Sequence, residues 1–372
     1  MGNPAFCRFQ TTFFCRRCFG TEAHEGNGVS CAFIVKRSSE TGNGESVGVS
    51  QPLPKYSSKN HNMKKWLPAL SVLSLFLIWF CAGVGEGGWS NPLAADPVLM
   101  EIRLPRIFVA LLVGAALSAS GAALQALFEN PLADPSLIGT SGGAAMGVVL
   151  AIAMGWNIAV PLAAFAGAFA VCILILLGHR LVGGGKLGLL VMGFVVSALC
   201  GALVSLILFL SDDMALRSAM TWLSGSFSEA GFVSPAYAGG VMLAGLVVLT
   251  AVGRRLDYLL LGDETAHTMG ISVAATRVAT IIGAALMTGA AVSLGGIIGF
   301  VGMMIPNVLA QAVGGSRTRL IILSAAVGSI FMLLADTFAR WVVYPIDLPV
   351  GIVIAILGGP FFLWLIVKDQ RS

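Results

Sequence analysis

The chain has 372 residues, of which 57% are hydrophobic and 11% are charged, and its mean hydropathy is +0.89. Soluble globular domains are about 45–50% apolar and about 25% charged, so folding this chain in water would leave a large apolar surface exposed. The composition excludes a soluble enzyme, and the net charge of +4 is too small to indicate nucleic-acid binding. The 46 glycines suit membrane helices whose backbones pack closely. We therefore predict an all-α, polytopic membrane protein.

Residues 1–62 differ in composition from the rest of the chain. They contain seven Lys or Arg, four Asp or Glu and four of the seven cysteines, without an apolar run that could span a membrane. Cys15 and Cys18 have the CxxC spacing, but neither a second CxxC nor a His pair follows to complete a zinc site. We predict that residues 1–62 are a disordered leader or an upstream extension with the true start at Met63, and that residues 63–372 form the transmembrane domain.

Ten apolar segments follow, with lengths that suit helices crossing about 30 Å of hydrocarbon. The first has the basic start and apolar run of a signal peptide, but no clear small-residue cleavage site follows it, so we predict a retained helix. The ten predicted spans are residues 66–84, 106–128, 138–155, 158–178, 187–210, 235–253, 274–294, 302–313, 320–338 and 348–367.

The distribution of basic residues indicates how these spans are oriented. An even number of spans places both termini on the same side of the membrane. With the termini inside, the inner segments and adjoining helix ends carry eleven Lys or Arg, whereas the outer ones carry four. Basic residues favour the cytoplasmic side. We therefore predict that both termini are cytoplasmic.

One motif recurs in the chain at an offset of 175 residues. Gly114 to Gly121 (GAALSASG) is followed by Pro131, and residues 289–296 (GAAVSLGG) are followed at the same distance by Pro306. The copies lie on the second and seventh predicted spans, which would run in opposite directions. This pattern predicts an inverted internal repeat, which is common in secondary transporters.

Reactive groups are scarce in the predicted spans, where Asp336 and Arg340 are the exceptions. No series of carboxylates or histidines is present to relay protons or hold sodium, which argues against a gradient-coupled transporter, although a backbone-carbonyl ion site stays open. The phosphate-binding pattern GxxxxGK[ST] is absent, since the nearest segment has Arg180 in place of the first glycine and Leu187 after the lysine. We predict no catalytic residue, no metal site and no cofactor on this chain, with any ATP bound by a partner subunit.

The most polar inner loop is residues 254–272. Asp263 and Glu264 supply the negative charge that favours a helix N-terminus, and Gly270 suits a helix C-terminus. We predict a short amphipathic cytoplasmic helix over residues 263–269. On composition alone it is equally consistent with a solvated linker.

Six motifs occur in order, at compatible spacing, between about residue 64 and the C-terminus. The motifs are Arg103-Leu-Pro-Arg106; Gly121 to Pro135; Leu261-Gly-Asp-Glu264 with Met269-Gly270; Gly296 to Gly302 with Pro306; Ala335 to Arg340; and Asp347 to Ile352 with Gly359 to Trp364. Together they resemble the permease subunit of ATP-binding-cassette (ABC) importers for iron–siderophore, haem and cobalamin.

The resemblance implies an assembly. Permeases of this family have ten helices, pair as homodimers, and form the path along the dimer axis. Two ATP-binding cassette subunits dock on the cytoplasmic side, and a periplasmic substrate-binding protein docks on the other. The residues that match the family motif for coupling to the ATPase subunit are Gly262, Asp263, Glu264, Ala266, Met269 and Gly270.

The resemblance also implies roles at both ends of the path. Arg103, Arg106 and Arg340 match arginines that dock the binding protein, although they also suit anchoring of helix ends, and Asp336 lies four residues before Arg340 as a competing partner. The residues matching the cytoplasmic gate and path are Asn130, Leu132 and, loosely, Ser205. Asn307 and Gln311 depart from the His and Arg that the family usually has.

These observations predict a permease in the bacterial inner membrane that moves an iron chelate, haem or a ferric siderophore, with ATP hydrolysed on partner subunits. A cobalamin permease of the same family is the first alternative. A gradient-coupled secondary transporter is the second.

Overall fold

Helices make up almost all of the chain that the computed structural model describes, which is residues 74–85, 88–89, 97–156, 158–183, 185–228, 235–313, 315–343 and 346–369. The predictions for residues 1–62, including Cys15, Cys18 and Met63, lie outside these residues. The all-helical class is confirmed. The described chain contains one minimal exception, an antiparallel pair of two-residue strands, β1 (Val84–Gly85) and β2 (Gly88–Trp89).

The described residues form twelve α-helices. They are α1 (Ser74–Gly83), α2 (Leu104–Phe128), α3 (Thr140–Ala153), α4 (Val160–Val182), α5 (Gly185–Leu210), α6 (Asp213–Leu223), α7 (Pro235–Leu259), α8 (Asp263–Thr268), α9 (Val273–Gly295), α10 (Val301–Ala312), α11 (Arg317–Val342) and α12 (Val350–Asp369). A π-helical turn, Leu99–Arg103, extends α2 at its N-terminal end, and a 3₁₀ helix, Pro135–Ile138, precedes α3.

Helix α2 is the centre of the fold and packs against α7, α9, α10 and α11. Its glycines permit this close packing. A Cβ atom on Gly114 would lie 2.2 Å from the carbonyl oxygen of Gly328 in α11, and one on Gly121 would lie 1.8 Å from that of Gly302 in α10. These separations are shorter than any van der Waals contact, so the two backbones touch directly.

Helices α3 and α4 meet in the same way. Gly143 and Gly167 face each other so closely that a Cβ atom on either would lie within 2.5 Å of the other's carbonyl oxygen. Gly147 similarly approaches the carbonyl oxygen of Ala163. The close backbone packing that the abundant glycines predict is therefore present between α3 and α4.

The helices differ in how much of their apolar surface the chain itself covers. In the most apolar stretch of each span, 78% of the residues of α2 with its preceding turn are buried, compared with 17% in α5 and 22% in α4. Leu199, Phe209 and Leu210 of α5 are among the exposed side chains. A surface this apolar requires lipid or another protein chain to cover it.

Six helices of the described chain are long and apolar enough to cross a membrane. The other four predicted spans coincide with α1, α3, α10 and α12, of which α12 is 20 residues long. Helices α3 and α10, with 14 and 12 residues, are shorter than the roughly 20 residues that cross the hydrocarbon core. The count of ten spans therefore stays a prediction.

The repeated motif does not place equivalent residues in equivalent structure. Gly121 lies in the interior of α2, whereas its counterpart Gly296 follows the last residue of α9 with a φ of 70°. Pro131 lies in the turn after α2, whereas Pro306 lies inside α10. The 175-residue offset thus aligns different parts of two helices and gives the inverted repeat no support at the residue level.

Candidate functional site

The predicted short helix of the polar inner loop exists as α8, between α7 and α9. Gly262 precedes it with a φ of 102°, and Gly270 ends it with a φ of 79°, both conformations that favour glycine. The Gly270 amide donates to the His267 carbonyl (2.9 Å), and the Ile271 amide donates to the Ala266 carbonyl (3.1 Å). Glycines therefore fix both ends of α8 as an abrupt turn-helix-turn unit.

Helix α8 has a buried side and an exposed side. Ala266 is fully buried and belongs to the main hydrophobic core. Glu264, His267 and Met269 are exposed, and Met269 is 54% exposed. The arrangement holds one residue in the core and presents an acidic and apolar surface outward, which is the geometry of a helix that another subunit can grip.

Asp263 faces the protein's own charges. One of its carboxylate oxygens, Oδ2, accepts a hydrogen bond from Arg277 of α9, and the other lies 3.8 Å from Lys186 Nζ of α5. Lys186 in turn forms an ion pair with Glu129, the residue directly after α2. Lys186 and Glu129 were missed by sequence reasoning, because 57 residues separate them and no local motif marks the pair.

Glu129 opens the loop that contains two predicted gate residues. It adopts a φ of 51°, an uncommon conformation for a residue with a Cβ atom. Asn130 follows, and its side-chain oxygen accepts from the Leu132 amide at 2.9 Å, forming a tight turn. Leu132 is 37% exposed, and Pro131 lies beyond the end of α2, as expected for a helix stop.

The loop then packs against α10. Asp134 accepts a hydrogen bond from the Ser136 amide (2.9 Å), and burial raises the pKa of this carboxyl. The Gln125 amide donates to the carbonyl of Met303 at 3.1 Å, and the ring of Pro135 contacts Gly302. The predicted gate loop is thus held between α2 and the start of α10.

Ser205 is not near this loop. Its hydroxyl donates to the Gly201 carbonyl of its own helix at 3.0 Å. At 1.5 Å per residue, Ser205 lies about 28 Å along α5 from Lys186, the residue that contacts Glu129. The structure therefore separates Ser205 from Asn130 and Leu132.

The two residues that depart from the family pattern lie together on α10. Asn307 is buried, and its side-chain oxygen is 3.5 Å from Gln311 Nε2. Within the described chain the Asn307 amide nitrogen has no hydrogen-bond partner. Toward the C-terminal end of α10, where the resemblance leads us to expect a His and an Arg, this chain therefore has a neutral contact between two amide side chains.

The ends of α2 and α11 that the sequence predicts to face outward are joined by a cluster of four charged residues, Arg106, Asp336, Asp347 and Arg340, called here the outer ion cluster. Arg106 donates to Asp336 through Nε (3.1 Å) and Nη2 (2.8 Å), and to Asp347 through Nη1 (2.6 Å). Arg340 Nε lies 3.2 Å from Asp336 Oδ2, which confirms the competing contact expected from their spacing. Two arginines and two carboxylates balance in charge.

The three predicted docking arginines differ in exposure. Arg106 is 6% exposed and Arg340 is 8% exposed, whereas Arg103 is half-buried and donates weakly to the Ala82 carbonyl at 3.5 Å. Asp336 is fully buried. The sequence missed the Arg106–Asp336 pair, because 230 residues separate the partners.

Metal ligands are not grouped in the described residues, where no three His, Cys, Asp or Glu side chains could hold an ion together. Cys81, Cys172 and Cys200 are buried and free. Two sets of ion pairs are therefore prominent in the described chain, one next to α8 and the other the outer ion cluster.

Comparison with known proteins assigns this arrangement to a family. Residues 69–368 match the model of the FecCD transport family. The chain is 38% identical to the hemin transport system permease HmuU of Yersinia pestis (284 residues, 74% of this chain and 85% of the relative). It is 36% identical to the vitamin B12 import permease BtuC of Escherichia coli (321 residues, 82% of this chain and 96% of the relative).

A solved structure agrees with this assignment. It is a metal-chelate type ABC transporter in an inward-facing conformation, with a TM-score of 0.74 and 32% identity, covering 82% of this chain and 99% of the other. The similarity therefore extends over nearly the whole described chain rather than one motif. The chain belongs to the FecCD transport family and is the permease subunit of an ABC importer.

Proposed function

We propose that this permease carries an iron chelate, haem or a ferric siderophore, inward across the bacterial inner membrane. Among the relatives, HmuU is named for hemin and BtuC for vitamin B12, at 38% and 36% identity. Cobalamin is therefore the alternative cargo. The gradient-coupled alternative is disfavoured, because the chain belongs to a family of ABC importer permeases.

The single observation that carries the mechanism is the two-sided geometry of α8. Buried Ala266 attaches the helix to the core, while Glu264 and Met269 face outward next to Gly270. An ATPase subunit that binds the exposed face of α8 would move this helix. The ends of α7 and α9, which adjoin α8, move with it. ATP stays on the two partner subunits, and this chain supplies the path.

The complete transporter contains two copies of this chain. The apolar surface of α5, which the chain leaves uncovered, is suited to a second copy or to lipid. Ten spans with both termini in the cytoplasm place α8 on the ATPase side, in agreement with the excess of Lys and Arg there. A periplasmic binding protein meets the opposite face, where Arg103 is half-buried and therefore the most exposed of the three docking arginines, since Arg106 and Arg340 are buried.

Substitution Glu264→Arg tests the coupling role. Reversing this exposed charge leaves the core contact of Ala266 intact, so we expect the chain to fold but to lose co-purification with its ATPase subunit and vanadate-sensitive ATP hydrolysis. Glu101→Arg makes the same charge change on an exposed residue outside α8 and serves as the control. Unchanged co-purification and uptake in Glu264→Arg would refute the coupling assignment.

Cargo identity is tested in proteoliposomes that hold the full complex with its binding protein. We expect unlabelled haem or a ferric siderophore to compete for uptake, whereas competition by cobalamin alone would establish the alternative. A proton uncoupler added at constant ATP should leave uptake unchanged.

A further inference from the structure

Four charged residues at the cytoplasmic side form a continuous series across four helices. Glu129 follows α2, Lys186 lies in the first turn of α5, Asp263 begins α8, and Arg277 lies near the start of α9. The series is called here the inner ion chain. It connects the predicted gate loop at one end with the helix that we assign to the ATPase contact at the other.

Lys186 occupies the position between the two functional segments. Its ammonium group forms an ion pair with Glu129 and lies 3.8 Å from Asp263 Oδ1, beyond hydrogen-bond distance. Within the described residues, Asp263 Oδ1 accepts no hydrogen bond and is shielded from solvent, although the side chain as a whole is 44% exposed. A buried carboxylate oxygen without a donor is unfavourable, so a displacement of about 1 Å would complete the pair.

Lysine suits a change of partner. Its ammonium group carries three donors on a flexible four-carbon stem, and an exposed ion pair is weak enough to exchange. Glu129 holds a positive φ that is uncommon for a residue with a Cβ atom, and its ion pair with Lys186 adds to the backbone hydrogen bonds that keep this helix end in place. Withdrawal of Lys186 removes one such contact.

We propose that Lys186 is a positioning residue that transmits movement of α8 to the loop of Glu129, Asn130 and Leu132. When α8 moves toward α5, Lys186 bonds Asp263 and releases Glu129, which allows the loop to change conformation. When α8 returns, the Glu129 pair re-forms. This inference rests on the proposed contact of α8 with the ATPase subunit.

The test uses the full transporter complex and reports loop position without requiring a known cargo. Leu132→Cys places a thiol at a site that is 37% exposed, whereas the described native cysteines are buried. The measured quantity is the rate of labelling by fluorescein maleimide in the nucleotide-free state divided by the rate with ATP and vanadate. Labelling of the complex without this substitution is subtracted.

In the Leu132→Cys background, we expect Lys186→Met to shift the labelling ratio toward one by up to about five-fold. A change of this size corresponds to the free energy of one surface ion pair. ATPase co-purification should stay normal, and Lys186→Arg should restore the ratio because it keeps the charge. Arg180→Met removes an exposed cation outside the inner ion chain and should leave the ratio unchanged.

The inference is overturned if Lys186→Met gives the same ratio as Arg180→Met, or if labelling of Leu132→Cys does not depend on nucleotide at all. If Lys186→Met lowers ATP hydrolysis, thermal stability and the nucleotide dependence of labelling together, and Lys186→Arg restores none of them, then Lys186 has a structural role. That result would also overturn the inference. If Glu264→Arg abolishes co-purification while Lys186→Met leaves the ratio intact, this inference fails alone. If Glu264→Arg has no effect, the proposed function fails.

Discussion

The outer ion cluster and the inner ion chain contain similar residues in opposite circumstances. In the outer cluster Asp336 is fully buried and Arg106 is 6% exposed, and the Arg106 guanidinium binds two carboxylates at once. In the inner chain the carboxylate side chains of Glu129 and Asp263 are 41% and 44% exposed, and the side chains of Lys186 and Arg277 are 21% and 14% exposed. One of its carboxylate oxygens has no donor among the described residues.

The difference indicates different uses of charge. A buried network joined by several charge-assisted hydrogen bonds is costly to break and holds helices in a single arrangement. A series whose carboxylates are open to solvent contributes less to stability and rearranges at lower cost. We therefore assign the outer cluster to fixing α2 against α11, and the inner chain to movement.

The largest expected effect is that of Asp336→Ala. Removing this buried carboxylate leaves Arg106 and Arg340 facing each other in a site with only Asp347, so we expect a loss of about 3–5 kcal/mol in the free energy of unfolding. Denaturant or thermal unfolding of the purified complex in detergent measures it. Asp347→Asn is the control at the rim of the cluster, where the side chain is 28% exposed, and should cost less. Equal costs, or none, would contradict a stabilising role.

The sequence predicted what local signals determine. Gly262, Asp263, Glu264 and Gly270 carry their own start and stop preferences, so α8 was found within one residue. The close glycine packing of α3 followed from residue size alone. Helix α6 was missed because it is short and less apolar than the spans, and its N-cap is formed by Asp212, whose carboxylate accepts from the Ala215 amide.

Long-range pairs could not be predicted in this way. Arg106 and Asp336 meet because α2 packs on α11, and Lys186 meets Glu129 because α5 begins next to the end of α2. Nothing in a single sequence specifies which of many charges become neighbours. The family resemblance selected Arg106 and Arg340 as surface residues, whereas packing places both against a buried carboxylate.

An intermediate effect is expected for docking of the binding protein. Arg103 lies outside the outer ion cluster, so Arg103→Glu should weaken docking about ten-fold at low salt while the chain stays folded. The effect should shrink at high salt, because exposed charges are screened. Surface-bound complexes and a titrated binding protein give the dissociation constant. An unchanged constant at low salt would make Arg103 an anchor of the helix end.

The smallest effect concerns stability of the inner ion chain. Glu129→Gln removes one exposed pair, so the free energy of unfolding should fall by less than about 1 kcal/mol, and less still at high salt. Asp336→Ala, in contrast, should show nearly the same loss at about 0.05 M and 0.5 M salt, because buried charges are shielded from ions. Thermal unfolding of both variants at the two salt concentrations measures the contrast. A large, salt-independent loss of unfolding free energy in Glu129→Gln would mean that the inner ion chain is a rigid network like the outer ion cluster. A network that fixes the fold in this way could not transmit movement from α8 to the loop.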